Sequence, residues 1–119
     1  MPNPSDFEAV PQTRGKILII DDEADIRESL ETLLDLEGYH VEQAQNGTEG
    51  LRMLDQANYD LVLLDLMMPD RSGMDVLKEV RERDQDTPIC MITAYGSVEV
   101  AVNALKAGAQ DYFSKPWDN

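Results

Sequence analysis

Five polar residues in this chain are of types, and at positions, that could do chemistry together. Asp21 and Asp22 follow the apolar run KILII, Asp65 follows LVLL, Thr93 follows PICMI, and Lys115 comes two residues after DYF. Carboxylates gathered at one place repel strongly at short range. Either one of them stays protonated or a cation neutralises the group. Oxygen ligands suit a hard cation, and Mg²⁺ takes one or two carboxylates while keeping several waters. His40 is the single histidine and Cys90 the single cysteine, so the ligands that favour zinc are missing. A metal-bound carboxylate beside a lysine and a hydroxyl is suited to phosphoryl transfer. Asp65 is the best nucleophile because it stands alone at a strand end, and an aspartyl phosphate would be the product. Lys115 would neutralise one phosphoryl oxygen, and the Thr93 hydroxyl with nearby backbone N–H groups would hold another.

Each residue taken singly has a plainer explanation. Asp21-Asp22 could cap a helix, Asp65 could form a turn, Thr93 could be a capping hydroxyl, and Lys115 a solvated charge. What would make them a site is the set of elements that brings all of them to one rim. Lys16–Ile20 and 60–64 are short apolar runs that read as strands buried on both faces, and 39–44, 88–92 and 110–113 read as three further strands. Between them lie helical periods. Ile26, Leu30, Leu33 and Leu34 make the first, closed by Gly38, and a second opens at Asn46-Gly47 and carries Gly50 inside it. A third runs over 73–83 with Val76, Leu77 and Val80 inward. A fourth, capped by Ser97 and ended by Gly108, carries Val98, Ala101, Val102 and Leu105. Gly50 should weaken its helix by about 1 kcal/mol relative to Ala. Alternating strands and helices predict an α/β fold with a doubly wound parallel sheet, whose ligands bind beyond the carboxyl ends of the strands. That is where the five polar residues fall.

Composition narrows the partners. Among 119 residues, 24 are acidic and 10 basic, a formal net charge of −14. This disfavours direct contact with nucleic acid or an anionic membrane, both polyanions. The hydrophobic fraction of 42% is that of a globular chain, and the length fits one domain. No apolar stretch approaches the roughly 20 residues of a membrane span. There is no secretory signal, and one cysteine fits a reducing cytoplasm. Residues 1–15, with Pro2, Pro4 and Pro11, read as a leader ahead of the domain at 16–119. Gly15-Lys16 is not a P-loop, since the upstream glycine and the following hydroxyl residue are missing.

Taken together, Asp21-Asp22 after ILII, Asp65 after LVLL, the following MMPDRSGMDVL, Thr93-Ala94 and Lys115-Pro116 resemble the receiver domain of bacterial two-component response regulators. The resemblance covers 16–119 and implies a flavodoxin-like five-stranded parallel sheet of order 2-1-3-4-5, without the family's closing fifth helix. It implies that Asp65 is phosphorylated by a sensor histidine kinase. Asp22, Asp65 and the Met67 carbonyl would bind Mg²⁺ directly, and Asp21 would act mostly through water. Thr93 and Tyr112 would form the switch pair, relaying the change to the fourth helix and fifth strand, and the Lys115–Pro116 bond would be cis. The stretch TAYGSVEVAVNALKAGAQDYFSKPW resembles the enhancer-binding, nitrogen-regulator type branch, whose members carry an ATPase and a DNA-binding effector domain. A homodimer is left open, because many family members build theirs on the fifth helix.

Two other classes stay in view. One is a Mg²⁺-dependent phosphohydrolase, although the haloacid type needs an aspartate two residues after the nucleophile, where this chain has Met67. The other is a non-phosphorylated interaction domain on the same fold. Neither Met67 nor Tyr95, two residues past Asp65 and Thr93, carries a carboxylate or amide to orient an attacking water, which predicts slow self-hydrolysis of the phosphoryl group.

Overall fold

The computed structural model describes residues 14–94 and 97–115. Five strands alternate with four helices. In chain order these are β1 (Lys16–Ile20), α1 (Ala24–Leu36), β2 (His40–Ala44), α2 (Gly47–Gln56), β3 (Leu61–Asp65), α3 (Gly73–Arg81), β4 (Ile89–Thr93), α4 (Val98–Lys106) and β5 (Asp111–Ser114). All neighbouring strands pair in parallel, in the order β2-β1-β3-β4-β5. The expected doubly wound sheet is therefore present. Several strands sit one residue later than the apolar runs suggest. Asp65 and Thr93 are the last residues of β3 and β4, because the ladder continues through them.

Local chemistry accounts for the boundaries. Gly38 and Gly108 take φ of 94° and 112° past the ends of α1 and α4, a region where a side chain would be strained. The side chains of Asn46, Ser72 and Ser97 accept N–H bonds at the starts of α2, α3 and α4. Arg14 and Gly15, expected as the end of a leader, are already tied in: the Arg14 amide donates to the Gly38 carbonyl, and the His40 amide to the Gly15 carbonyl.

The core has two parts. One face of the sheet (Leu18, Ile20, Val62, Leu64, Ile89, Met91) packs under α2, α3 and α4, which contribute Leu51, Val76, Leu77, Val80 and Ala104. The other face (Ile17, Ile19, Leu63, Cys90) packs under α1 through Leu30 and Leu34. Two expectations are corrected here. Leu33 is 46% exposed, since among the described residues α1 is the one helix on its face and turns only one side to it. In α4 the exposed stripe is Val98, Val102 and Leu105, while Val100, Ala104 and Ala107 face the core. Small alanines allow close approach to the sheet, so the bulkier residues were displaced outward. Gly50 also has a reason. A Cβ there would lie 2.5 Å from Ile20 Cδ1, so the helix weakness is exchanged for close packing of α2 on β1.

Candidate functional site

The parallel register assembles the site. Ile20 pairs with Leu64, so the next residues lie side by side: Asp21 just past the end of β1 and Asp65 as the last residue of β3. Thr93 pairs with Ser114, so Lys115 emerges immediately beyond, its amide donating to the Thr93 carbonyl at 2.6 Å. Asp21, Asp65, Thr93 and Lys115 are all buried, an unusual set of polar residues for a core of this size.

Lys115 is the centre of charge. Its Nζ lies 2.6 Å from Asp21 Oδ2, 3.3 Å from Glu23 Oε1 and 3.4 Å from Asp65 Oδ1. Asp21 Oδ1 accepts the Glu23 amide at 2.9 Å, while its enclosed Oδ2 is paired with the Lys115 ammonium. Burial raises the Asp65 carboxyl well above the ordinary range, and the Asp21 charge raises it further; Lys115 and the Met67 amide pull the other way. Burial would lower Lys115, but its bonds and charge contacts with Asp21 and Asp65 win and raise it.

Asp21, Asp22, Glu23 and Asp65 each place a carboxylate oxygen within 4.8 Å of one another. Against these four carboxylates stand the Lys115 ammonium and, on the Asp21 carbonyl, the Arg27 guanidinium, so the surplus among the described residues is negative. An all-oxygen donor set with excess negative charge fits a hard dication such as Mg²⁺. Asp21 is thus no helix cap: the N-cap of α1 is Glu23, whose side chain makes no capping bond.

The rest of the rim is held by loops. The Leu66 amide donates to the Ile92 carbonyl, and the Gly73 amide donates to Leu66. Gly73 is required: a Cβ there would fall 2.1 Å from the Asp65 carbonyl oxygen. The Arg27 guanidinium donates to the Asp21 carbonyl at 2.7 Å and to Gln43 Oε1 at 2.9 Å, bracing the loop after β1. Asp70 accepts from the amides of Gly47 and Thr48 and from the Thr48 hydroxyl. Its slight burial would raise the carboxyl, but these bonds outweigh it and bring it down to about 2.

The structure therefore brings together Asp21, Asp22, Asp65 and Lys115, with Thr93 buried at the adjoining strand end. Met67 follows on the β3–α3 loop, its side chain exposed. Tyr112 lies on β5 packed against the α2–α3–α4 core, its hydroxyl enclosed without a hydrogen-bond partner. His40 is at the opposite end of β2, paired with Glu42, and Cys90 is a buried free thiol. Tyr95 and Pro116 lie outside the described residues, and with them the expectations about self-hydrolysis at Tyr95 and the cis bond. Sequence reasoning missed Glu23, Arg27, Gly73 and Asp70. A glutamate at an N-cap, a poor capping choice, was the available signal for Glu23.

Comparison with known proteins agrees with this geometry. The family described as response regulator receiver domain matches residues 17–119. The response regulator protein PilR of Pseudomonas aeruginosa is 45% identical over 106 residues, covering 89% of this chain and 24% of that protein. The transcriptional regulatory protein ResD of Bacillus subtilis is 46% identical over 102 residues, covering 86% of this chain and 42% of that protein. This chain spans under half the length of both relatives. Among solved structures, the response regulator protein TrrA of Thermotoga maritima, in complex with Mg²⁺–BeF, superposes with a TM-score of 0.79 at 39% identity, covering 87% of this chain and 88% of that one. Among the described residues, no helix is long and apolar enough to cross a membrane. The chain belongs to the response regulator receiver domain family.

Proposed function

We infer that the chain is a cytoplasmic phosphoacceptor switch in which Asp65 takes a phosphoryl group from the phosphohistidine of a sensor histidine kinase. The observation that carries this is the buried Asp21–Lys115–Asp65 contact at the carboxyl end of the sheet, with Asp22 and Glu23 in surplus beside it. An Asp65 carboxylate oxygen attacks phosphorus, the P–N bond breaks, and the imidazole leaves carrying the electron pair and takes up a proton. Asp22, Asp65 and the Met67 carbonyl would hold Mg²⁺, with Asp21 acting through water. When bound, the ion supplies charge neutralisation for the phosphoryl oxygens. Lys115 is already seated to shift from carboxylate to phosphoryl oxygen, and Thr93 ends the adjoining strand where its hydroxyl can accept the same role.

The readout follows from the same half of the rim. Thr93 and Tyr112 sit on neighbouring strands β4 and β5, with α4 between them in sequence. Tyr112 has a buried, unpartnered hydroxyl, so its inward position carries a desolvation cost and responds to small changes around Thr93. An effector that regulates transcription would read this face in the full-length protein. The enhancer-binding branch rests on the stretch from Thr93 to Trp117 and on the likeness to PilR, an enhancer-binding response regulator, although ResD matches almost equally.

Incubation with acetyl phosphate and Mg²⁺, followed by intact-protein mass spectrometry, should add one phosphoryl group to the wild type and none to Asp65→Asn. Equal phosphorylation of the two would overturn the assignment. Release of many equivalents of phosphate per chain would favour a phosphohydrolase instead. Absence of Mg²⁺ binding at millimolar concentration would favour a non-phosphorylated interaction domain.

A further inference from the structure

The β3–α3 loop carries Met67, yet the Met67 side chain is exposed and does not anchor it. The loop is fixed elsewhere. Asp70 reaches across to the start of α2 and accepts three hydrogen bonds: from the Gly47 amide at 3.2 Å, the Thr48 amide at 2.9 Å and the Thr48 hydroxyl at 2.8 Å. The next amide of α2, that of Glu49, is taken by Asn46 Oδ1 at 2.8 Å. The open N–H groups at a helix start need partners. Here a residue more than twenty positions away in sequence supplies two of them. Its carboxylate also meets the positive end of the helix dipole.

The two segments are also shaped to meet. A Cβ on Gly47 would lie 3.2 Å from Arg71 Cβ and 2.9 Å from Val76 Cγ2, so the glycine makes room for the loop. Arg71 in turn donates to Glu79 of α3 at 3.1 Å. The loop is thus tied to α2 on one side and α3 on the other.

We propose that Asp70 is a positioning residue, whose carboxylate staples the β3–α3 loop to α2 and so pre-sets the Met67 carbonyl for the metal. This rests on the reading above, in which that carbonyl is a Mg²⁺ ligand. A pre-set carbonyl binds without first ordering the loop. Releasing the staple makes binding bear that ordering cost. Residues that orient metal ligands at one remove typically cost 10–100-fold in affinity when lost. A loop with further anchors should sit at or below the bottom of that range.

The test uses the full 119-residue chain. Mg²⁺ affinity is measured by calorimetry, and amide hydrogen exchange is measured without metal. Asp70→Ala should weaken Mg²⁺ binding about fivefold to tenfold. It should also speed exchange at Gly47, Thr48 and the loop over 67–71 in the metal-free protein. Asp70→Asn, which keeps an acceptor oxygen, should fall between the wild type and Asp70→Ala. Thr48→Val removes one donor but leaves the Asp70 charge in place, and should weaken binding about twofold. If Asp70→Ala does not fold, the other two variants decide.

Unchanged Mg²⁺ affinity alongside faster exchange would overturn the proposal, leaving Asp70 as a helix cap only. Asp70→Asn matching Asp70→Ala while Thr48→Val matches the wild type would also overturn it, because affinity would then follow charge and not the staple. If the wild type itself binds no Mg²⁺, the metal-site reading fails and the proposal falls with it. Binding by the wild type with no response in the variants sinks the proposal alone.

Discussion

The two faces of this sheet are made by the same strands but are closed to different degrees. Under α2, α3 and α4, the sheet residues Leu18, Ile20, Val62, Leu64, Ile89 and Met91 have no exposed surface. Under α1, the helix itself has no buried residue, and among the described residues a groove of ≈ 300 Å³ lined by Leu30, Leu63, Ile92, Phe113 and Ser114 is open. Phe113 is 47% exposed there. The difference bears on the site. The β3–α3 loop, the Gly73 approach to Asp65 and the Asp70 staple all belong to the closed face, where helices are seated tightly enough to fix atoms.

If the closed face positions Asp65, then forcing α3 away from β3 should be the most damaging single change. In Gly73→Ala the new Cβ would meet the Asp65 carbonyl oxygen at 2.1 Å and Leu66 Cα at 2.8 Å, both backbone atoms that cannot rotate aside. We expect a loss of about 4 kcal/mol of stability in urea denaturation, at the upper end for point substitutions. Phosphorylation by acetyl phosphate should fall in the fraction that remains folded. A variant within 1 kcal/mol of the wild type, roughly the size of an ordinary surface effect, would mean that the closed face yields more easily than its packing implies.

A matched pair on one strand tests the contrast directly. Leu64 faces the closed side and Leu63 the open side, at successive positions of β3. Leu64→Ala leaves a sealed cavity and should cost about 4 kcal/mol, within the range for buried leucines. Leu63→Ala should cost about 2 kcal/mol, because its cavity merges with the groove and its neighbours can collapse or be solvated. Both are read from urea midpoints at unchanged slope. Equal losses would erase the distinction between the faces.

The same contrast accounts for how much the sequence disclosed. Asp21, Asp22, Asp65, Thr93 and Lys115 were legible because continuous apolar runs mark buried strands, and parallel order puts every strand's carboxyl end on one rim. Ser97 as a cap, the helix start at Asn46-Gly47, and Gly38 and Gly108 as helix ends were legible because each meets a local backbone requirement. What escaped was decided at longer range. Asp70 reads as a turn residue, and its partners in α2 follow from tertiary packing. Glu23 was hidden beside the better-known type of pair, Asp21-Asp22, and its partner Lys115 is 92 positions away. In α4, apolar residues surround much of the helix, so periodicity alone could not say that Ala104, not Leu105, faces the sheet. Leu33 was misplaced because the open face asks less of α1 than its pattern offers.

The smallest expected effect concerns the staple and acid. Hydrogen bonds from Thr48 and Gly47 overcome the cost of burial and hold the folded Asp70 carboxyl at about 2, against roughly 3.9 for an unconstrained aspartate. A carboxyl whose folded value is depressed stabilises the native state above its unfolded value. That contribution fades as pH falls, because the unfolded chain takes up the proton first. The staple should therefore be fully effective above about pH 4 and lose its contribution between about pH 4 and pH 2. Asp70→Asn has no proton to gain in that window, so its stability should fall less steeply there than that of the wild type, measured by urea denaturation across the pH series. The residue is largely solvent-exposed, which screens the interaction and keeps the difference small. The comparison is still informative, because the staple belongs to the closed face. If the two chains lose stability in parallel through this window, Asp70 does not lean on α2 in solution, and the closed face ends at α3.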